Sequence, residues 1–206
     1  LADYIDAPTM TPEAFRTIVG IFSDSREASQ AVADIVAAGI IPAAMEMMDG
    51  AMVRVVEEAF HYGFPADAAA LLLIEVDGLE AVLDEQMEQV ADILRHNNAD
   101  SVDCSADADK RAELWSARRR AFGAIGRISP SYCTQDACIP RSKLPEVIQC
   151  VAEIGQKYGL TITNVFHAGD GNVHPILLFD EFNPQEVADT MHASHEILDY
   201  CISIGG

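Results

Sequence analysis

Leu160-Thr-Ile-Thr-Asn-Val-Phe-His-Ala-Gly-Asp-Gly-Asn-Val-His-Pro-Ile-Leu-Leu-Phe179 holds two apolar runs, 160–166 and 173–179, on either side of a short glycine-rich segment. Branched and aromatic residues favour extended backbone, while Gly, Asp and Asn tolerate the angles of a tight reversal. The stretch therefore reads as a β-hairpin. Outward from it, strand-like runs recur at 15–23, 69–76 and 132–139, with an edge-strand pattern at 101–104. Runs with helical spacing lie between them. Ala28, Ala31, Val32, Ile35 and Val36 share one helix face before Gly39. Leu79, Val82, Leu83, Met87, Val90, Ile93 and Leu94 form a second stripe. Leu144, Val147, Ile148, Val151 and Ile154 form a third behind an N-cap at Ser142. A last stripe of Val187, Met191, Leu198, Cys201 and Ile202 is capped by Asn183. The Met-rich stretch 43–60 and residues 107–125 predict two more helices.

Strands that alternate with long helices and include a hairpin predict an α+β fold, a mainly antiparallel sheet with helices packed on one face. No low-complexity linker divides residues 1–206, so one domain is expected. Half of the residues are hydrophobic and 22% are charged, which suits a packed core. Thirteen basic residues against 33 acidic ones give a net charge of −20. Such a surface repels phosphate backbones and anionic lipid heads, which argues against nucleic acid as a partner. A small anionic substrate stays open, because a local arginine or a metal ion can reverse the field inside a cleft. No apolar run approaches the roughly 18 residues of a membrane span. Five cysteines, none in a CxxC pair, suggest reduced thiols and a cytoplasmic location. With Leu1 at the start and Gly205-Gly206 at the end, the chain reads as a piece of something longer.

His167 and His174 flank the hairpin turn, so pairing of its strands would bring both imidazoles to the root of one loop. Neutral imidazole is a good ligand for zinc or a similar divalent ion. Two ligands make half a site, and Glu75, Asp77 and Asp136 are the acids to consider for a third. A loop histidine pair without metal reads equally well from spacing alone. Asp170 and Asn172 read as turn-formers. Arg118-Arg119-Arg120 stands out in so acidic a chain, and Arg118 lies close to the helix face of Trp115. Its guanidinium could grip a substrate carboxylate, or the triplet could be a solvated patch. His192 and His195 read as an exposed helix face, and Met45, Met47, Met48 and Met52 as core filler.

The string from Asn164 to Asp180, with its His-Ala-Gly-Asp-Gly-Asn-Val-His core, resembles the C-terminal substrate, or cap, domain of FAD-linked oxidases in the vanillyl-alcohol-oxidase superfamily. It is most similar to the group of glycolate oxidase D-subunits and D-lactate dehydrogenases. Supporting stretches are Gly39–Asp49, Leu72–Gly78, Glu113–Arg119 and Asp136–Ser142. The resemblance implies a ferredoxin-like cap that closes over FAD held mainly by a separate N-terminal domain. It implies oxidation of a small D-2-hydroxy acid, glycolate or D-lactate, by hydride transfer to FAD. Carried over by position, His167 and His174 would bind a divalent metal, typically zinc, and Arg118 would hold the substrate carboxylate. Relatives that prefer longer diacids carry a lysine where this chain has Thr134, so a small monoacid is expected. The family's third ligand and a catalytic histidine lie in a Gly-Glu-His-Gly segment beyond a Gly-Gly pair, and this sequence stops at such a pair. The 206 residues alone are therefore expected to be inactive. Expected partners are the FAD-binding domain and other oxidase subunits, which could also hold the protein peripherally at the inner membrane. The competing reading is a non-catalytic interaction or capping module whose histidine hairpin is structural; a stand-alone metallohydrolase would need its third ligand within these residues.

Overall fold

The computed structural model describes residues 12–206. The first half runs β1 (Ala14–Phe22), α1 (Ser25–Ala37), β2 (Ala44–Asp49), α2 (Gly50–Phe60), β3 (Ala70–Gly78), α3 (Glu80–His96) and β4 (Ser101–Ser105). The second runs α4 (Ala108–Ile125), β5 (Ser131–Thr134), β6 (Ala137–Cys138), α5 (Leu144–Tyr158), β7 (Thr161–His167), β8 (Asn172–Phe179) and α6 (Pro184–Ser203). All eight strands join one antiparallel sheet in the order β4-β1-β3-β2-β7-β8-β5, with β6 also on β8. β1 and β2 are linked through α1, yet β3 lies between them and pairs with both. This is the split βαβ order of a ferredoxin-like unit, with α2 inserted before β3. The 160–179 hairpin extends that unit through β7, which pairs with β2.

Successive side chains along a strand alternate between the two faces, and each face here has its own core. Ile18, Phe22, Met47, Leu72, Ile74, Phe166, Val173 and Leu177 pack with the inner stripes of α1, α3, α5 and α6. Val19, Ile21, Met48, Leu71, Leu73, Val165, Ile176 and Leu178 pack with Met52, Val53 and Val56 of α2 and with Ala117, Ala121, Ala124 and Ile125 of α4. The α+β class and antiparallel sheet are as expected. The sequence pattern suggested helices on one face; four lie there, and α2 with α4 form a second, smaller layer on the other. The inward residues of α4 are mostly alanines, whose small volume gives a weak apolar stripe in the sequence but permits close approach to the sheet.

Three local expectations are corrected. Residues 43–60 are not one helix: β2 occupies the centre of the sheet, and α2 begins at Gly50. The Asp49 carboxylate accepts from Met52 N at 2.8 Å, an N-cap that starts the helix. A Cβ on Gly50 would lie 2.4 Å from Ala68 O, so only glycine fits the strand-to-helix corner. Ser142 is not an N-cap, because 141–143 form a single 3₁₀ turn and α5 opens at Leu144 with a proline in its first turn. The 132–139 run is interrupted between β5 and β6, although the register is continuous across the gap, with Thr134 opposite Ile176 and Ala137 opposite Val173. Gln135 N donates to Pro175 O at 2.8 Å. In an antiparallel strand a residue's N–H and C=O point the same way, and Pro175 has no N–H to return. Asn183 caps α6 as expected, accepting from Gln185 N at 3.1 Å. Of the stripe expected on that helix, however, Met191 and Ile202 are exposed, and Ala193 and Ile197 join Cys201 in facing the core.

Candidate active site

The hairpin turn closes with Asp170 N and Gly171 N donating to His167 O at 3.0 and 3.1 Å. Gly171 has φ +74°, and a Cβ there would sit 2.3 Å from Ile139 O. The close approach of the β6 end thus demands the glycine that the sequence supplies. Asp170 acts in this turn, as expected.

Strand register decides where the histidines point. His167 pairs with Asn172 and His174 with Val165, so the two are diagonal neighbours on the face covered by α2 and α4. Their rings converge, edge to face at 90° with centroids 5.2 Å apart. On the other side of β7, Glu46 of β2 stands directly opposite His167. Its Oε1 lies 2.7 Å from His167 Nδ1. Its Oε2 accepts from Arg118 Nε at 3.0 Å and lies 2.9 Å from Nη2. Arg118, from α4, thus reaches the same spot as the two histidines. Glu46 links them, a residue the sequence reading passed over because it took 43–60 for a helix. On a strand, Glu46 is the acid that breaks the run of Met45, Met47 and Met48, and that alternation was the available signal.

Arg118 and Glu46 are both well buried, at 12% and 13% side-chain exposure. His174 is comparably enclosed, and burial pushes its pKa below the ordinary imidazole value. The neighbouring His167 and Arg118 act in the same direction, against Asp136 and a hydrogen bond to the Gln135 backbone. A neutral His174 at neutral pH follows. Asp136, opposite His174 across the interrupted strand, is 3.7 Å from Nδ1 and largely exposed. Asn172 Oδ1 is buried with no hydrogen-bond partner. A cavity of about 480 Å³ opens beside Glu46 and His167, with Ile40, Pro42, Met45 and Arg141 among its walls.

Of the three arginines, only Arg118 turns inward; Arg119 bonds Ala112 O, and Arg120 lies over the Phe60 ring at 4.4 Å. His192 and His195 are exposed on α6, which packs against the opposite face, and His192 stacks on Tyr158. The four methionines are core residues, 4% exposed or less. All five cysteines are free.

A second acid on this face also meets an arginine. Glu75 Oε2 takes Arg111 Nη2 at 2.7 Å, Trp115 Nε1 at 3.0 Å and Thr17 Oγ1 at 3.0 Å. All three donors share that one oxygen. Two imidazole nitrogens suit a divalent ion chemically, but no group of three or more His, Cys, Asp or Glu among the described residues is placed to hold one. Such an ion would find half a ligand set here.

The family model for the C-terminal domain of FAD-linked oxidases matches residues 11–206. The chain belongs to that family. It is 44% identical over 195 residues to glycolate oxidase subunit GlcD of Escherichia coli K12, covering 95% of this chain and 39% of that protein. The GlcD subunit of Bacillus subtilis is 35% identical over the same share of this chain and 42% of its own length. The mitochondrial D-lactate dehydrogenase [cytochrome] of Arabidopsis thaliana is 26% identical over 90% of this chain and 33% of the relative. The chain thus spans about two fifths of the length of the GlcD relatives. Among solved structures, p-cresol methylhydroxylase with substrate bound matches 92% of this chain and 43% of its own with TM-score 0.68 at 16% identity. Alkyldihydroxyacetonephosphate synthase matches 92% of this chain and 40% of its own with TM-score 0.65 at the same identity. The two structures share the fold of this FAD-linked oxidase domain.

Proposed function

We propose that this FAD-linked oxidase domain forms the substrate side of a flavoprotein that oxidises a small D-2-hydroxy acid, glycolate or D-lactate, to the 2-oxo acid. The observation that carries the reading is the convergence of Arg118, His167 and His174, with His167 and Glu46 lining an open cavity, in a chain similar to GlcD subunits and a D-lactate dehydrogenase. Arg118 brings a permanent cation to a well-buried place next to His167, where it would hold the substrate carboxylate. A neutral His174 has one nitrogen lone pair to offer, either to a divalent ion or to the C2 hydroxyl, and in either case it would help to orient the C2–H bond. The unpartnered Asn172 Oδ1 leaves one more acceptor for a ligand donor, and an unmet buried acceptor costs about 1–3 kcal/mol until it is filled. FAD, when bound by the intact protein, supplies the acceptor for the hydride from C2, while the hydroxyl proton departs to a base.

The β5–β6 edge beside His174 presents Thr134 and Asp136 instead of a cation, which favours a monoacid over a diacid. His167 and His174 would provide two ligands of a divalent ion, zinc by chemistry, with the remainder from elsewhere in the intact protein. No helix among the described residues is long and apolar enough to cross a membrane. A cytoplasmic location, with peripheral attachment through other oxidase subunits, is part of the same proposal.

The deciding experiment replaces His174 by alanine in the full-length flavoprotein. Turnover of glycolate or D-lactate should fall by about two orders of magnitude with flavin content unchanged. A folded, flavin-loaded variant with wild-type turnover would leave the hairpin a purely structural element. Metal analysis of the same protein should find a stoichiometric divalent ion; full turnover without one removes that part of the proposal.

A further inference from the structure

We infer that Glu46 is a positioning residue that sets the orientation of both His167 and Arg118; this rests on the hydroxy-acid reading above. Its two oxygens are divided between two functional side chains, Oε1 to His167 Nδ1 at 2.7 Å and Oε2 to Arg118 Nε and Nη2 at 3.0 and 2.9 Å. A carboxylate can only accept, so the imidazole nitrogen that meets it must carry the hydrogen. Glu46 therefore selects the Nδ1–H tautomer of His167 and leaves the Nε2 lone pair free, on the far side of the ring from the acid. This is the nitrogen that can accept from a substrate hydroxyl or bind a cation.

The same carboxylate settles how Arg118 meets its substrate. A guanidinium usually grips a carboxylate through a pair of parallel N–H groups. Here the Nε–Nη2 edge is occupied by Glu46, so the substrate carboxylate is left the Nη1 side. The grip is end-on, and its direction is fixed by a strand residue at 13% exposure. Glu46 sits on β2 directly opposite His167 on β7, so its placement is as rigid as the sheet. Without it, the imidazole could adopt either tautomer and the guanidinium could swing toward solvent.

The test uses the full-length flavoprotein with Glu46→Gln, Glu46→Asp, His167→Ala, Arg118→Lys and the double variant Glu46→Gln/His167→Ala. Glutamine is isosteric, but its amide N–H would face His167 Nδ1 once its oxygen takes Arg118. In [15N]histidine-labelled protein the wild type should show His167 as Nδ1–H and Glu46→Gln should show Nε2–H. The Gln variant should lose about 10- to 100-fold in kcat/KM. The double variant should be no worse than His167→Ala alone within about threefold, because residues acting through one another are not additive. Glu46→Asp keeps the charge but withdraws it by one methylene. It should lose less than Gln does, and Glu46→Ala replaces the Gln variant if that protein fails to fold or retain flavin. Wild-type kcat/KM with an unchanged tautomer in the variant measured, or a fully additive loss in the double variant, would overturn the inference. If His167→Ala and Arg118→Lys themselves keep wild-type kcat/KM, the hydroxy-acid reading fails instead. If they lose activity while Glu46→Gln does not, only the role of Glu46 is lost.

Discussion

Glu75 and Glu46 lie on the same face of the sheet, and each meets an arginine from the same helix, yet they are built for different ends. Glu75 Oε2 is enclosed by Arg111, Trp115 and Thr17, and the Arg111 guanidinium rests 5.0 Å over the Phe15 ring. Every partner there belongs to the scaffold, and the cluster fastens α4 to β1 and β3. Glu46 instead divides its two oxygens between Arg118 and His167. A buried acid–arginine pair by itself is weak evidence for either stability or function. What separates the two is how the acid is shared: Glu75 gathers its donors on one oxygen, while Glu46 links an arginine to a histidine, as the proposed site requires.

The sharpest way to break this comparison is to remove each arginine in the full-length protein. Arg118→Ala should lower kcat/KM for the hydroxy acid by about 100-fold, the value of a lost charged hydrogen bond of about 3 kcal/mol. Arg111→Ala should leave kcat/KM within about threefold of wild type. An equal loss in both variants, measured with flavin content held constant, would erase the distinction. The second contrast is in stability. Arg111→Ala strands Glu75 among two neutral donors and should cost about 3 kcal/mol in chemical unfolding. A cost below about 1 kcal/mol would mean that α4 is held by its alanine seam alone.

The smallest effect concerns acid. His174 has its pKa lowered by burial, so the unfolded chain binds its proton first as pH falls through the ordinary imidazole value near 6.5. Above that value both states are neutral and His174 makes no difference. Below it, stability declines with acidity until the folded protein also takes the proton. The unfolding midpoint of the wild type should therefore drop more steeply between pH 7 and 5 than that of His174→Gln. Parallel curves would show that His174 is not held neutral by its surroundings.

Much of this was legible in the residues. The 160–179 hairpin, the strands at 15–23 and 69–76 and the capped helix at 184 follow local rules of alternation, spacing and capping, and they appear where those rules put them. The pairing of the two histidines was also readable, because a hairpin fixes its own register. Glu46 was not, since its role depends on β2 lying beside β7, a contact between residues about 120 positions apart that no local pattern encodes. The partnership of Arg118 was hidden for the same reason. The β2–α2 boundary was missed because methionine and alanine suit both helix and strand, and only the fit of Gly50 against Ala68 forces the corner.

Pro175 has an effect out of proportion to its size. An ordinary residue there would donate its amide hydrogen to the Gln135 carbonyl and zip the edge of the sheet shut. Because that hydrogen is missing, the carbonyl is left without a backbone donor, beside a His174 ring whose proton a nearby acceptor favours. A valine at 175 would reclaim the carbonyl for the ladder, withdrawing from the imidazole an acceptor that favours its proton.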